Sequence, residues 1–160
     1  VDKHATILIL GTMPSTTSLQ HAQYYAHPDN IFWDILFRVC IPEWKAEEVV
    51  NVPYSQKVAL AQQHKIAIWD VLQYCDRKGN LDRDIRNQIH NDFKGFFTTY
   101  NQIKAVFFNG QKPEKFFSDF SNIPEIFEGR EFFQLQSTSP SNSANAFYKL
   151  KDWTCIRAYI

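Results

Sequence analysis

The positions of this chain that could do chemistry together are Asn30, Asp70, His27 and two short polar loops, Gly11-Thr12-Met13-Pro14-Ser15 and Ser137-Thr138-Ser139-Pro140-Ser141-Asn142. Asn30 follows Pro28-Asp29 and precedes an amphipathic run, so its amide could orient a water or support a leaving group; its plainer role is a helix cap, for which Asn is favoured. Asp70 closes the apolar stretch Ile66–Trp69, where a carboxylate could accept a hydrogen bond from the ring N–H of a bound base; capping is again the plainer role. His27 could act on protons or on phosphate, though a single His is more often structural. The peptide N–H groups of Gly11–Ser15, with the start of the helix that follows, suit a phosphate or a base carbonyl. That loop has neither the Lys and Gly spacing of a P-loop nor a G-x-G-x-x-G, and a structural turn explains it equally well. Ser137–Asn142 offers hydroxyl and N–H donors of the kind that contact phosphodiester oxygens. Lys149, Lys151 and Arg157 on the next helix would add positive potential, although helical lysines usually form a solvated face. No Ser–His–Asp or Cys–His set has a recognisable spacing, and no His/carboxylate cluster suggests a metal.

These groups need elements to carry them. A β-branched run that stops at Gly and Pro is a buried parallel strand delivering a tight loop to a sheet edge. Ala5–Leu10 has that form, and Ile103–Phe108, Ile66–Trp69 and the polar-interrupted Glu131–Gln136 are further strand candidates. Helical patterns lie between them: Ile31, Ile35 and Val39 on one face beside Phe32 and Leu36, then Tyr54–Lys65, His90–Tyr100, and Gln111–Phe120 with Pro113 in its first turn. A last helix is expected over Ala144–Tyr159, with Phe147, Leu150, Trp153 and Ile156 spaced by three. Asp76–Asp84 is the expected exposed loop. Strands alternating with helices imply an α/β fold, a three-layer α/β/α sandwich on a parallel sheet. Ligands then sit at the strand carboxyl ends, and the two polar loops read as two jaws of one site.

Composition narrows the function classes. The 160 residues suit one domain over the whole chain, 1–160, and no linker or repeat divides it. Seventeen basic residues balance seventeen acidic ones, so no bulk field draws the chain onto nucleic acid or an anionic membrane; any DNA contact must come from loops and helix starts. Phe supplies fourteen residues, most of them expected in the core. Three distant cysteines argue against a disulfide framework and fit a reducing cytoplasm. No run reaches membrane-span length, no signal peptide is expected before Val1, and native residues are expected upstream of it.

Taken together, L-I-L-G-T-M-P-S at Leu8–Ser15, Y-Y-A-H-P-D-N-I-F-W at Tyr24–Trp33, I-A-I-W-D-V-L at Ile66–Leu72, F-F-N-G at Phe107–Gly110 and S-T-S-P-S-N at Ser137–Asn142 resemble the uracil-DNA glycosylase superfamily. Within it they look most like family 6, the hypoxanthine-DNA (deoxyinosine) glycosylases. The resemblance implies a central four-stranded parallel sheet with DNA across its carboxyl ends. It implies that Gly11–Ser15 activates water and that Ser139, Pro140, Ser141 and Asn142, with Ser15, hold DNA. Met13 stands where several relatives carry a catalytic Asp or Asn, and a thioether cannot orient water; the family-6 pattern moves that duty to Asn30. Asp70 stands where many uracil enzymes have Asn.

The site expected from the resemblance is therefore catalytic Asn30 with a base pocket of Gly11, Thr12, Met13, Phe32, Trp69, Asp70 and Asn109, Phe32 and Trp69 being the aromatic walls. The expected activity is hydrolysis of the base–sugar bond of a deaminated nucleotide flipped out of DNA, hypoxanthine favoured. The expected product is an abasic site, made without metal or cofactor by a cytoplasmic monomer. A uracil or G/U(T) mismatch glycosylase, a non-catalytic damaged-DNA-binding module and a phosphate-binding enzyme unrelated to DNA are the alternatives.

Overall fold

A computed structural model describes residues 1–76 and 85–160, residues 46–48 by their backbone alone. The four expected strands form one parallel sheet: β1 (Ile7–Gly11), β2 (Ile66–Asp70), β5 (Ala105–Asn109) and β6 (Glu131–Leu135), in the order β2-β1-β5-β6. Central β1 and β5 are buried at every position, as strands covered on both faces must be. Alternation sorts their side chains. Ile7, Ile9 and Phe107 face a core shared with α2 (Phe32–Cys40), α3 (Tyr54–Gln63) and α7 (Ala146–Trp153). Leu8, Leu10, Val106 and Phe108 face the opposite core, shared with α4 (Phe93–Thr99), α5 (Gln111–Phe117) and α6 (Pro124–Phe127). The result is the expected three-layer sandwich. The short α1 (Thr16–His21) follows the first loop, capped by Ser15, whose Oγ accepts the Ser18 N–H at 3.1 Å.

Several boundaries differ from the sequence expectation for local reasons. An antiparallel hairpin, β3 (Leu72–Asp76) with β4 (Arg86–His90), follows β2 directly. Its residues are largely polar and exposed, so no apolar alternation announces it. Residues 77–84 of the expected Asp76–Asp84 loop lie outside the described residues. His90 ends β4 instead of opening a helix, because Asp92 caps α4 by accepting the Gly95 N–H at 3.0 Å. The last helix starts two residues late, since Asn142 Oδ1 takes the Ala144 N–H and Asn145 caps α7. It ends early, tightening into a 3-10 turn over Thr154–Ala158 where Thr154 Oγ1 donates to Lys151 O at 2.6 Å. Phe147, expected on the buried face of that helix, is 67% exposed, and Lys149 is buried in its place. Arg157 is tied to α2: it donates to Val39 O and Arg38 O and closes that helix's carboxyl end.

Trp153 joins α7 to the sheet and to α2. It is fully buried, its Nε1–H donates to Gln136 O at 2.8 Å, and its ring meets Phe32 edge-on at 5.7 Å. Trp153→Ala should cost about 3–5 kcal/mol, the range for a large aromatic cut from a packed core. Urea denaturation checks this; a loss below ~1 kcal/mol would show that the layer does not depend on this ring.

Candidate active site

At the strand carboxyl ends lies a cleft of about 610 Å³ lined by both polar loops and by Tyr24, Tyr25, His27, Asn30, Asp70 and Asn109. A smaller hollow under the opposite sheet edge, lined by Thr6, Lys65 and Lys104 among others, holds none of the expected residues. Gly11, Thr12, Met13, Ser15, Asn30, Asp70, Asn109, Ser139, Pro140, Ser141 and Asn142 share the first cleft, whereas Phe32 and Trp69 do not line it.

Each jaw is braced from below. Asn30 Oδ1 accepts the Phe32 N–H at 3.0 Å, two residues ahead, so the backbone fixes which end of the amide is oxygen. Ile31, not Asn30, is the N-cap position of α2, and it makes no side-chain cap. The Ile31 N–H donates to Thr138 O at 3.3 Å, which ties this jaw to the second loop. Thr138, fully buried, also gives its N–H to Asn109 Oδ1 and takes a hydrogen bond from Asn109 Nδ2, both at 2.9 Å. Asn109, expected to read a base, thus has both ends of its amide engaged by Thr138 and acts as a clamp from β5 to the loop. At Gly110, φ is +103° and an added Cβ would stand 2.8 Å from Ser137 Cβ; only glycine lets strand and loop approach so closely.

The expected aromatic walls need correction. Phe32 is fully buried because Tyr25 stacks over it, centroids 3.8 Å apart and planes 14° from parallel; Tyr25, not Phe32, lines the cleft. Trp69, partly buried, stacks on Phe96 at 4.4 Å against the core beneath α4, the side its place in the β2 alternation dictates. Tyr25 has φ +54°, a conformation costly for a bulky side chain. Sequence reading passed over Tyr24 and Tyr25 as wall residues although both sit in the Tyr24–Trp33 block. The left-handed turn that aims Tyr25 has no residue-type signal.

Asp70 is 6% exposed and packs onto Gly11: a Cβ there would lie 2.5 Å from Asp70 Oδ1 and 2.9 Å from the Tyr25 hydroxyl. Carboxylate and phenol therefore converge over one bare Cα. Burial, then the Asp70 charge, pushes the Tyr24 phenol far above its ordinary pKa, so it remains a proton donor. His27 Nδ1 accepts the Asp29 N–H at 3.2 Å, which leaves the proton of the neutral ring on Nε2. Ser15 Oγ spends itself on the α1 cap while still lining the cleft. Among the described residues no group of three or more His, Cys, Asp or Glu could hold a metal ion, and no helix is long and apolar enough to cross a membrane.

A family model described as the uracil DNA glycosylase superfamily matches residues 1–159. The chain belongs to that superfamily. It is 33% identical over 112 residues to a hypoxanthine DNA glycosylase of Methanosarcina barkeri, covering 70% of this chain and 68% of the relative. It is 30% identical over 156 residues to a hypoxanthine DNA glycosylase of Methanosarcina acetivorans, covering 98% and 92%. A solution NMR structure of a uracil DNA glycosylase candidate from Methanosarcina acetivorans superposes with a TM-score of 0.79 at 26% identity, covering 99% of this chain and 92% of that one. Membership makes the protein a DNA glycosylase, a hydrolase of the bond between base and sugar, with DNA as its substrate.

Two outcomes follow from the cleft. Gly11→Ala should move Asp70 and Tyr25 together and lower glycosylase turnover by about 10²-fold, the scale of an ångström-sized misplacement; wild-type turnover would show that the contact is dispensable. Fold stability without DNA should fall above pH ~10, where the unfolded chain's tyrosines ionise and folded Tyr24 keeps its proton. Tyr24→Phe should flatten that alkaline loss in pH-dependent melting, and an unchanged slope would mean that the Tyr24 proton is not held by the fold.

Proposed function

We propose that the protein excises hypoxanthine from deoxyinosine in DNA, with Asn30 as its catalytic residue. The observation that carries this reading is that Asn30, its amide oxygen oriented by the Phe32 N–H, lines the same cleft as Asp70 and the Ser139–Asn142 turn. An amide oxygen has a second lone pair, so Asn30 can accept one proton of a water while the backbone holds it still. The names of the Methanosarcina relatives support the choice of base.

The nucleotide must leave the duplex to be reached, at a cost of a few kcal/mol that a wobble pair lowers. Its base then enters the cleft against the Tyr25 ring, a flat face backed by Phe32. Asp70 accepts the N1–H of hypoxanthine. Adenine presents an acceptor at that position and meets a carboxylate with nothing to donate, a mismatch worth ~1.5–3 kcal/mol. The C1′–N9 bond breaks with its electron pair passing to the base, the water oxygen bonds to C1′ of the oxocarbenium-like sugar, and the water's proton leaves through the departing base or solvent. Ser139, Ser141 and Asn142 hold the backbone on either side. Uracil N3 also presents an N–H to Asp70, and the name of the NMR relative favours it as a second reading. The protein acts as a monomer in the cytoplasm and leaves an abasic site.

The test is base release from duplexes carrying inosine, uracil or xanthine, followed by alkaline cleavage. Asn30→Ala should lower turnover on inosine by about 10²-fold or more, the scale for a lost positioned group. Borohydride should trap no covalent adduct. An unchanged rate in Asn30→Ala removes it from catalysis, and release of uracil alone makes the second reading the correct one.

A further inference from the structure

Lys149 is a charged side chain in the wrong place for a solvated helix face. It is 4% exposed, on the side of α7 that also buries Trp153 and Ile156 by way of the following turn. Its Nζ donates to Ser139 O at 3.1 Å and Asn142 O at 2.9 Å, the two ends of the turn lining the cleft. Among the described residues no carboxylate lies within ion-pair reach of it, and its ammonium has a third proton that neither carbonyl takes. Burial alone lowers its pKa. A buried cation held only by neutral carbonyls is an expensive way to brace a loop, since an apolar side chain of similar size often serves stability as well or better.

The turn in front of it is otherwise self-sufficient. Asn142 N–H closes onto Ser139 O, Ser139 Oγ meets Ser141 Oγ at 2.9 Å, and Asn142 Nδ2 reaches Gln136 Oε1 and Ser137 O. What these neutral bonds do not supply is charge. The chain has no net positive charge to attract a polyanion, so local potential at this loop matters more than it would in a basic protein.

We propose that Lys149 is a positioning residue, its ammonium fixing both ends of the Ser139–Asn142 turn from behind and presenting positive potential through that turn to one phosphate of the bound DNA. This rests on the glycosylase reading for its substrate. It makes the interior of α7 part of the DNA grip, while Lys151, exposed on the same helix, is a solvated side chain.

The experiment measures kcat and KM on the inosine duplex across a salt series for the full chain, Lys149→Met and Lys149→Arg. Lys149→Met should raise KM about tenfold, leave kcat within about threefold, and flatten the slope of log KM against log salt by ~0.9, the increment of one phosphate contact. Lys149→Arg should restore the slope. The melting temperature of Lys149→Met should stay level or rise. An unchanged KM, or a raised KM with an unaltered salt slope, overturns the proposal, the latter by showing a passive brace. Should the Met variant not fold, the wild-type protein is tested on duplexes with single methylphosphonate linkages flanking the inosine. One linkage should then weaken binding and flatten the salt slope by the same increment, and no such linkage overturns the proposal. If the wild type releases no base at all, the glycosylase reading has failed; binding of the same proteins to an abasic-site duplex across salt then decides the role of Lys149.

Discussion

The active-site face depends on the side chain and peptide of Thr138. One buried residue receives the Asn109 amide at both ends and accepts the Ile31 N–H through its carbonyl, so the carboxyl end of β5, the start of α2 and the second loop meet at one point. In a buried setting each of these bonds is costly to leave unmade. The arrangement is therefore close to all-or-none: a loop displaced from Thr138 would strand an asparagine amide and a helix-start N–H together. Two loops more than a hundred residues apart in sequence become parts of one rigid rim.

Above that node the cleft is built from a stack. Phe32 sits at the first turn of α2, fully buried between Trp153 and Trp33 edge-on and Tyr25 face-on. It cannot touch a ligand, yet it sets the height and plane of the tyrosine that can. Tyr24 fixes the same segment from the other side, its N–H donating to the Tyr54 hydroxyl and its carbonyl accepting Trp33 Nε1–H. These contacts hold Tyr25 in its left-handed conformation, and backbone strain of this kind persists where the surroundings over-determine it.

The strands of the parallel sheet, the layers around it and a cleft at its carboxyl ends were legible in the sequence, most clearly at β1, β2 and β5, whose apolar runs end in Gly, Asp or Asn; the polar β3–β4 hairpin was not. Trp69 and Phe32 were not placed correctly, since an aromatic beside a functional residue in sequence points to the opposite face of a strand or the far side of a helix turn. Asn109 lines the cleft and also clamps Thr138 through both ends of its amide, a second duty that its strand-end position in the sequence does not announce. For Lys149 the sequence leaves open a positive potential at the loop or a solvated helix face, and does not announce its burial. Helical spacing favours Phe147 for the core, and only the backbone carbonyls of a loop ten residues upstream make the lysine the better fit. What sequence cannot carry is pairing at a distance.

Met13 adds a last constraint. It lines the cleft from the first loop and packs, partly buried, against the core beneath α4, so at this position the loop contributes shape with a thioether in place of a polar side chain. Among the cleft residues of the Tyr24–Asn30 segment, the tyrosines serve as wall and donor, and His27 is held by its neighbour's N–H. Asn30 has its amide oxygen fixed in direction by the Phe32 N–H. The aim of the Asn30 amide depends on the register of α2, through the Phe32 N–H, hence on the Thr138 carbonyl that takes the Ile31 N–H. The Asn30 segment and the second loop are thus tied to the same buried hydroxyl residue, so displacing one jaw strains the hydrogen bonds of the other.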